Sequence, residues 1–146
     1  MKFFLDTGNL EEIKYFKNFN LIDGVTTNPS IISKTNKNFE SLIKEICDIV
    51  DGPVSAEVVG STYEEMIEQG ERLSKIDNRV VVKLPATLDG FRALDNLTQK
   101  KIPINFTVIY TVNQAIIAAK LGAKYVSPFV GRLDANGQNG PSLIKE

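Results

Sequence analysis

A lysine has the most distinctive setting for chemistry in this sequence. Lys83 lies inside the run Val80–Pro85, which is otherwise apolar and typical of a strand covered on both faces of a parallel sheet. A buried amine is a candidate nucleophile for Schiff-base formation with a carbonyl substrate. The alternative is a structural lysine that extends to solvent at the strand end, or that pairs with Glu57 or Asp6. The strand alone does not separate the two.

The chain contains no histidine. Ser-His and Cys-His nucleophiles are therefore excluded, as are metal sites that use histidine. Proton transfer would have to use carboxylates, lysine, tyrosine or water. Asp6 and Glu57, which end or nearly end two predicted strands, are the candidate acid/base groups. The alternatives are a turn aspartate for Asp6 and an ion-pair partner of a nearby lysine for Glu57.

Further candidates stand at or just after the ends of other predicted strands, several of them two residues apart. Side chains two apart on a strand share a face, so each strand can direct its pair into one cavity. These candidates are Thr26, Asn28, Asn105, Thr107, Ser127, Phe129 and Arg132. Each polar one is, taken alone, more often a turn or loop residue. Arg132 has the planar guanidinium that suits a phosphate, with a solvated loop arginine as the alternative. Cys47 falls on an apolar helix face and is predicted to be core.

Six strand–helix units follow one another along the chain. Strands are predicted near residues 2–6, 24–28, 54–59, 80–84, 102–108 and 125–130, with a loop rich in glycine and asparagine after the last. Capping boxes are predicted at Asn9–Glu12, Ser61–Glu64 and Thr111–Gln114. Strict alternation predicts an α/β fold with a parallel sheet. A TIM-type barrel of eight units is the natural end point, and an open doubly wound sheet is the alternative.

Composition favours an ordinary globular protein with one domain spanning residues 1–146. Lysine and arginine number 17 against 18 aspartates and glutamates, which gives no general attraction to nucleic acid or an anionic membrane. No apolar run approaches the roughly 20 residues that a membrane span needs. The N-terminus lacks the long apolar region of a secretory signal, so we expect a cytoplasmic location. A single cysteine rules out an internal disulfide.

Four segments in order along the chain resemble the small transaldolases and their sister fructose-6-phosphate aldolases. They are Phe4–Thr7, Gly24–Ser30, Val82–Pro85 and Tyr125–Arg132. The Gly-Val-Thr-Thr-Asn-Pro-Ser string is the most specific of them. The resemblance implies a TIM-type barrel, of which about six βα units are present here. It also implies sugar phosphate substrates and class I aldol chemistry that needs no metal or other cofactor.

The resemblance also implies roles for individual residues. Lys83 matches the Schiff-base lysine and Asp6 the carboxylate that handles the proton of the sugar hydroxyl. Glu57 matches an acid/base carboxylate that works through a bound water, which Thr107 helps to hold. The remaining matches are substrate-contacting positions, at Thr26, Asn28, Asn105, Ser127 and Phe129, and one phosphate-binding arginine, Arg132.

Two positions favour one branch of the family. Glu57 and Phe129 stand where the aldolases typically carry glutamine and tyrosine, so the resemblance implies a transaldolase. Such an enzyme moves a dihydroxyacetone unit from sedoheptulose 7-phosphate or fructose 6-phosphate to an aldose phosphate, within the pentose phosphate pathway. The first alternative is a fructose-6-phosphate aldolase.

The eightfold plan implies two further strand–helix units, whose loops often build the phosphate site. Six strands alone leave two sheet edges exposed, and we therefore expect a homo-oligomer. The second alternative follows from the same feature: a shortened chain without catalytic activity that acts only in assembly.

Overall fold

The computed structural model describes residues 1–32 and 38–145, with Ile32 described in its backbone only. The strands are β1 (Phe4–Asp6), β2 (Gly24–Thr26), β3 (Val54–Glu57), β4 (Val80–Pro85), β5 (Ile104–Ile109) and β6 (Tyr125–Pro128). The helices are α1 (Leu10–Asn18), α2 (Pro29–Ile32), α3 (Phe39–Ile49), α4 (Tyr63–Ser74), α5 (Leu88–Gln99), α6 (Val112–Lys120), α7 (Val130–Ala135) and α8 (Gly140–Lys145). None of the helices within the described ranges is long and apolar enough to cross a membrane.

The six strands form one parallel sheet in the order in which they occur in the chain, β1 to β6. A doubly wound sheet would reverse direction at a switch point, so the sequential order excludes that alternative. The sheet also curls. Phe4 on β1 and Tyr125 on β6 belong to its two outermost strands, yet their ring centroids are 5.7 Å apart. The architecture is a half-barrel of six βα units, which confirms the predicted partial TIM-type fold.

Polar and apolar side chains separate onto the two faces of this sheet. Residues paired across parallel strands point to the same face. The register places one set together with Phe4 and Tyr125 on the concave face: Asp6, Thr26, Ser55, Glu57, Lys83, Asn105, Thr107 and Ser127. The convex face carries a buried set: Val25, Val54, Ala56, Val82, Leu84, Ile104 and Phe106. These pack against helix residues such as Leu42, Met66 and Leu94, so the hydrophobic core lies outside the curl.

Three predicted helix starts can be compared with the structure. Asn9 caps α1 as predicted, but α1 begins without the reciprocal Glu12 bond of a capping box. The capping box at Thr111 and Gln114 is confirmed. The box predicted at Ser61 and Glu64 is wrong, because α4 is capped one residue later, by Thr62 with Glu65. Ser61-Thr62-Tyr63-Glu64-Glu65 contains two overlapping frames of the same motif. In the frame that forms, the Glu65 carboxylate accepts the backbone N–H of both Ser61 and Thr62.

The chain after β6 also differs from the prediction. The strand ends at Pro128, and the segment predicted as a loop begins with a six-residue helix, α7. Gly131 lies within α7 and faces open space, where its missing side chain costs no packing. Arg132 is therefore held on a helical turn rather than in a loop. Cys47, predicted to be core, is fully buried on α3.

Candidate active site

The polar residues of the concave face come from all six strands and meet toward the carboxyl ends of those strands. Adjacent members face each other in register: Asp6 with Thr26, Glu57 with Lys83, Lys83 with Asn105, and Thr107 with Ser127. Because a parallel ladder keeps paired residues at one level, the sheet itself sets these neighbours. The predicted strand-end residues on β1 to β6 therefore form one polar surface.

Lys83 lies at the centre of this surface. It is 6% exposed, and its ammonium nitrogen has two oxygen neighbours. Glu57 Oε2 lies 3.2 Å from Nζ, and the backbone carbonyl oxygen of Thr27 accepts a hydrogen bond from Nζ at 3.3 Å. The pairing with Glu57 neutralises the buried charge, as expected of a structural lysine. Lys83 also lines a cleft, as expected of a nucleophilic amine.

Glu57 is the carboxyl group closest to the amine. Its side chain is 17% exposed, and this burial raises the pKa of Glu57 above the ordinary glutamate value. The charge and hydrogen bond of Lys83 act in the opposite direction, and the negative charge of Asp6 adds to the increase. Burial outweighs the ion pair, so Glu57 holds a proton more readily than a solvated glutamate does. A carboxyl group with a raised pKa is suited to act as a general acid as well as a general base.

Asp6 and Thr26 form the opposite wall. The Thr26 hydroxyl donates a hydrogen bond of 2.8 Å to Asp6 Oδ1, which fixes the carboxylate at the end of β1. An open cleft of about 550 Å³ separates this pair from β6 and α7. Its lining includes Asp6, Thr26, Lys83, Ser127, Phe129 and Arg132. The amine and the Asp6 carboxylate thus face the same solvent-filled space.

Asn105 on β5 is buried, and both ends of its amide are held, one by a residue of β3 and the other by a residue of β6. Its Nδ2 donates to the Ser55 hydroxyl at 3.1 Å, and its Oδ1 accepts from the Ser127 hydroxyl at 2.7 Å. Both partners are hydroxyl groups, and together they hold the plane of the amide in place. One hydrogen of Nδ2 remains for a further acceptor next to Lys83.

Thr107 is fully buried, and within the described part of the chain its hydroxyl has no hydrogen-bond partner. A buried polar atom without a partner is uncommon and suits a bound water or substrate oxygen. The next residue, Val108, has φ +60°, a left-handed conformation that is rare and strained for a β-branched residue. It produces a bulge, with a register shift between Thr107 and Ile109. Because of the bulge, Thr107 faces the concave side while Ile109 packs on the convex side.

Three predicted residues lie outside the strands. Asn28 follows β2, and its Oδ1 accepts the backbone N–H of Ile31 at 2.9 Å, so that its side chain caps α2. The prediction that Asn28 shares a strand face with Thr26 is therefore wrong, since the strand has already ended. Phe129 is the residue before α7, and its ring lies edge-on to Tyr110, with centroids 5.9 Å apart. Arg132 is exposed on α7 at the rim of the cleft.

Two residues of the site were missed in the sequence. Ser55 stands two residues before Glu57, so the alternation rule that grouped the other pairs would have found it. Thr27 contacts Lys83 through a backbone carbonyl, which leaves no mark on residue type. In residues 1–32 and 38–145, no group of three His, Cys, Asp or Glu side chains is arranged to hold a metal ion.

Comparison with known sequences identifies a family for this chain. The transaldolase/fructose-6-phosphate aldolase family matches residues 3–146. A probable transaldolase of Methanococcus maripaludis strain C5 is 56% identical over all 146 residues, which make up 68% of that protein. A probable transaldolase of Clostridioides difficile is 51% identical over the same share. The chain therefore spans about two thirds of the length of these relatives, and the resemblance drawn from its motifs is confirmed.

Comparison with solved structures supports the fold. The carboxyl transferase domain of Rhizobium etli pyruvate carboxylase, solved with pyruvate, superposes with a TM-score of 0.56. The superposition covers 92% of this chain and 30% of that one, at 14% sequence identity. At this identity the likeness concerns the arrangement of strands and helices alone.

Proposed function

Because this chain belongs to the transaldolase/fructose-6-phosphate aldolase family, we propose that it transfers a dihydroxyacetone unit between sugar phosphates through a Schiff base on Lys83. The donor would be sedoheptulose 7-phosphate or fructose 6-phosphate, and the acceptor an aldose phosphate. One observation carries the proposal: the buried Lys83 amine opens onto a cleft that also contains the Asp6 carboxylate, with Glu57 3.2 Å from the amine.

The first half of the reaction joins the donor to the amine. The neutral Nζ of Lys83 attacks the ketone carbon, and the carbinolamine that forms loses its hydroxyl as water to give an iminium ion. The departing oxygen must be protonated. The raised pKa of Glu57 favours the protonated carboxyl that can supply this proton, directly or through a water held by the unpartnered Thr107 hydroxyl.

The second half breaks and forms a carbon–carbon bond. Asp6 takes the proton of the sugar hydroxyl at the carbon beyond the scissile bond, and that bond's electron pair moves into the iminium to give an enamine. The aldose phosphate product leaves. The enamine carbon then attacks the acceptor aldehyde, Asp6 returns the proton to the new hydroxyl, and hydrolysis of the iminium restores Lys83. Asp6 thus returns the proton that it removed, and Glu57 can recover its own proton when the iminium is hydrolysed.

The other residues would bind and orient the sugar. Thr26 fixes the Asp6 carboxylate by its 2.8 Å hydrogen bond. The free Nδ2 hydrogen of Asn105 would bind a hydroxyl of the three-carbon unit. Phe129 would form an apolar side of the cleft, and Ser127 and Asn28 would contact the substrate from β6 and from the end of β2. Arg132 at the rim would hold the phosphate through paired N–H groups.

Borohydride trapping tests the proposal. The protein is incubated with fructose 6-phosphate, reduced, digested and mapped by mass spectrometry. We expect a sugar adduct on Lys83 and none in a Lys83→Met variant. Lys124→Met, which removes a lysine beside Tyr125 instead, is the matched control and should retain the adduct. If Lys83 carries no adduct, the Schiff-base proposal is refuted. Repeated turnover without an added acceptor, with release of free dihydroxyacetone, would favour the aldolase.

A further inference from the structure

We propose that Thr27 is a positioning residue for this reaction, holding its own backbone carbonyl against the Lys83 amine so that the amine is aimed at the donor ketone. The inference deepens the Schiff-base function proposed above and rests on it. Thr27 does not contact the cleft with its side chain. It would act on the reacting atoms through its carbonyl contact with Lys83.

Thr27 is attached to β3 at two points. Its backbone N–H donates to the Ser55 carbonyl oxygen at 3.0 Å, and its side-chain hydroxyl donates to the same oxygen at 2.8 Å. The residue is fully buried. Two donors from one residue to one acceptor hold the N–Cα–Cβ unit of Thr27 against β3, and the peptide group that carries its carbonyl starts from this anchored Cα. The hydroxyl is therefore one of the two anchors of the residue whose carbonyl oxygen contacts Lys83.

That carbonyl is one of two oxygens that hold the Lys83 amine. It accepts from Nζ at 3.3 Å, while Glu57 lies at 3.2 Å. A lysine side chain has four rotatable bonds, and a single partner would leave its end free to pivot about that partner. Two acceptors, one on β3 and one just after β2, restrict it to a small region. Because β2 ends at Thr26, the carbonyl of the next residue is free to turn toward the concave side.

Ser55 connects this attachment with the rest of the site. Its carbonyl accepts both bonds from Thr27, and its hydroxyl accepts the bond from the Asn105 amide. The residue is 1% exposed. The position of Lys83 relative to Asn105 is thus set through one residue of β3, in addition to the direct pairing of β4 with β5. Removal of the Thr27 hydroxyl should displace Lys83 before other residues of the site, because the Thr27 carbonyl bonds the Lys83 amine directly.

A purely structural role for Thr27 is the competing interpretation, in which the hydroxyl only ends β2 and stabilises the fold. The two interpretations differ in what a conservative replacement does. Thr27→Val keeps the shape and the β-branch but removes the hydroxyl. Thr27→Ser keeps the hydroxyl and removes a methyl group. Thr98→Val is the matched control, because the Thr98 hydroxyl also bonds a backbone carbonyl, that of Leu121 at 3.0 Å, on the outer helices.

The test measures the rate of borohydride-trapped adduct formation on Lys83 with fructose 6-phosphate, in wild type and the three variants, alongside thermal unfolding. We expect Thr27→Val to trap about 10-fold to 100-fold more slowly, as small misplacements of a reacting group do. Thr27→Ser should trap within about threefold of wild type, since the hydroxyl bond is retained. Thr98→Val should trap at the wild-type rate even if its unfolding temperature falls as far as that of Thr27→Val.

Each outcome decides between the interpretations. Wild-type trapping together with an unchanged rate in Thr27→Val overturns the positioning role and leaves the Schiff-base function standing. Equal losses in Thr27→Ser and Thr27→Val also overturn it, because the hydroxyl would then not be the group that matters. Absence of any Lys83 adduct in wild type refutes the proposed function, and the inference that rests on it falls as well. Slow trapping in Thr27→Val with rescue by serine supports the positioning role.

Discussion

Replacing Lys83 with methionine should change how the stability of the protein depends on pH. In the wild type, burial raises the pKa of Glu57, and Lys83 partly offsets the increase. Methionine has a similar length and keeps the packing, but it removes the positive charge that lies 3.2 Å from the carboxylate. Burial and the charge of Asp6 then act unopposed, so the pKa of Glu57 rises further.

The sign follows from proton binding. A carboxyl group with a raised pKa binds more protons in the folded state than in the unfolded state, whose value is about 4.3. Stability therefore falls as pH increases from the unfolded pKa through the folded one. In Lys83→Met this window extends to higher pH. Each added pKa unit removes about 1.4 kcal/mol above the window.

The size of the effect follows from the exposure of the pair. Removing one partner of a buried ion pair costs about 3–5 kcal/mol, and Glu57 keeps 17% exposure, so we expect a smaller added loss of about 1–3 kcal/mol across this window. The measurement is urea unfolding followed by circular dichroism at several pH values, starting below the unfolded glutamate pKa and extending to neutral pH. A double variant, Glu57→Gln with Lys83→Met, should lose this pH dependence. Parallel stability curves for wild type and Lys83→Met would show that Glu57 is not the buried partner described above.

Three other changes test separate features of the structure. Thr107→Val should leave the free energy of urea unfolding unchanged or raise it by about 1 kcal/mol, because the lost hydroxyl has no partner. The same variant should slow adduct formation on Lys83. A stability loss above about 2 kcal/mol would mean that the hydroxyl is bonded within the protein. Val108→Gly should raise the thermal unfolding temperature, since the left-handed conformation costs valine about 1 kcal/mol more than glycine, and a lower temperature would contradict that strain. Cys47 should resist a thiol reagent at pH 8 in the folded protein and react in urea, because it is buried and its pKa is raised to about 11 by burial; rapid labelling without urea would contradict its position in the core.

Much of this arrangement follows from rules that apply to the sequence alone. The apolar run around Lys83 predicted a covered strand, and alternation along β5 placed Asn105 and Thr107 on one face. Strand order was decided by the structure, because periodicity does not distinguish a barrel from a doubly wound sheet. Once the order is known, the contact between Glu57 and Lys83 follows from register.

Other features could not be predicted for identifiable physical reasons. Helix α7 begins without a side-chain cap and contains Gly131, so the usual signals of a helix start are missing. The strained bulge at Val108 has a residue type that ordinarily avoids that conformation. Thr27 acts through a backbone carbonyl, and every residue has one. In each case the determining interaction is tertiary.

The edge-on contact between Phe4 and Tyr125 has a consequence for the order in which this chain folds. The two rings are separated by almost the whole sequence, so bringing them together closes a very large loop, at an entropic cost that no local contact offsets. Neighbouring strands pair over far shorter separations and can form first. We therefore expect the curl that brings Asp6 opposite Ser127 to form late in folding. Until it occurs, the chain can have a paired sheet and a packed outer layer of helices while the cleft does not yet exist.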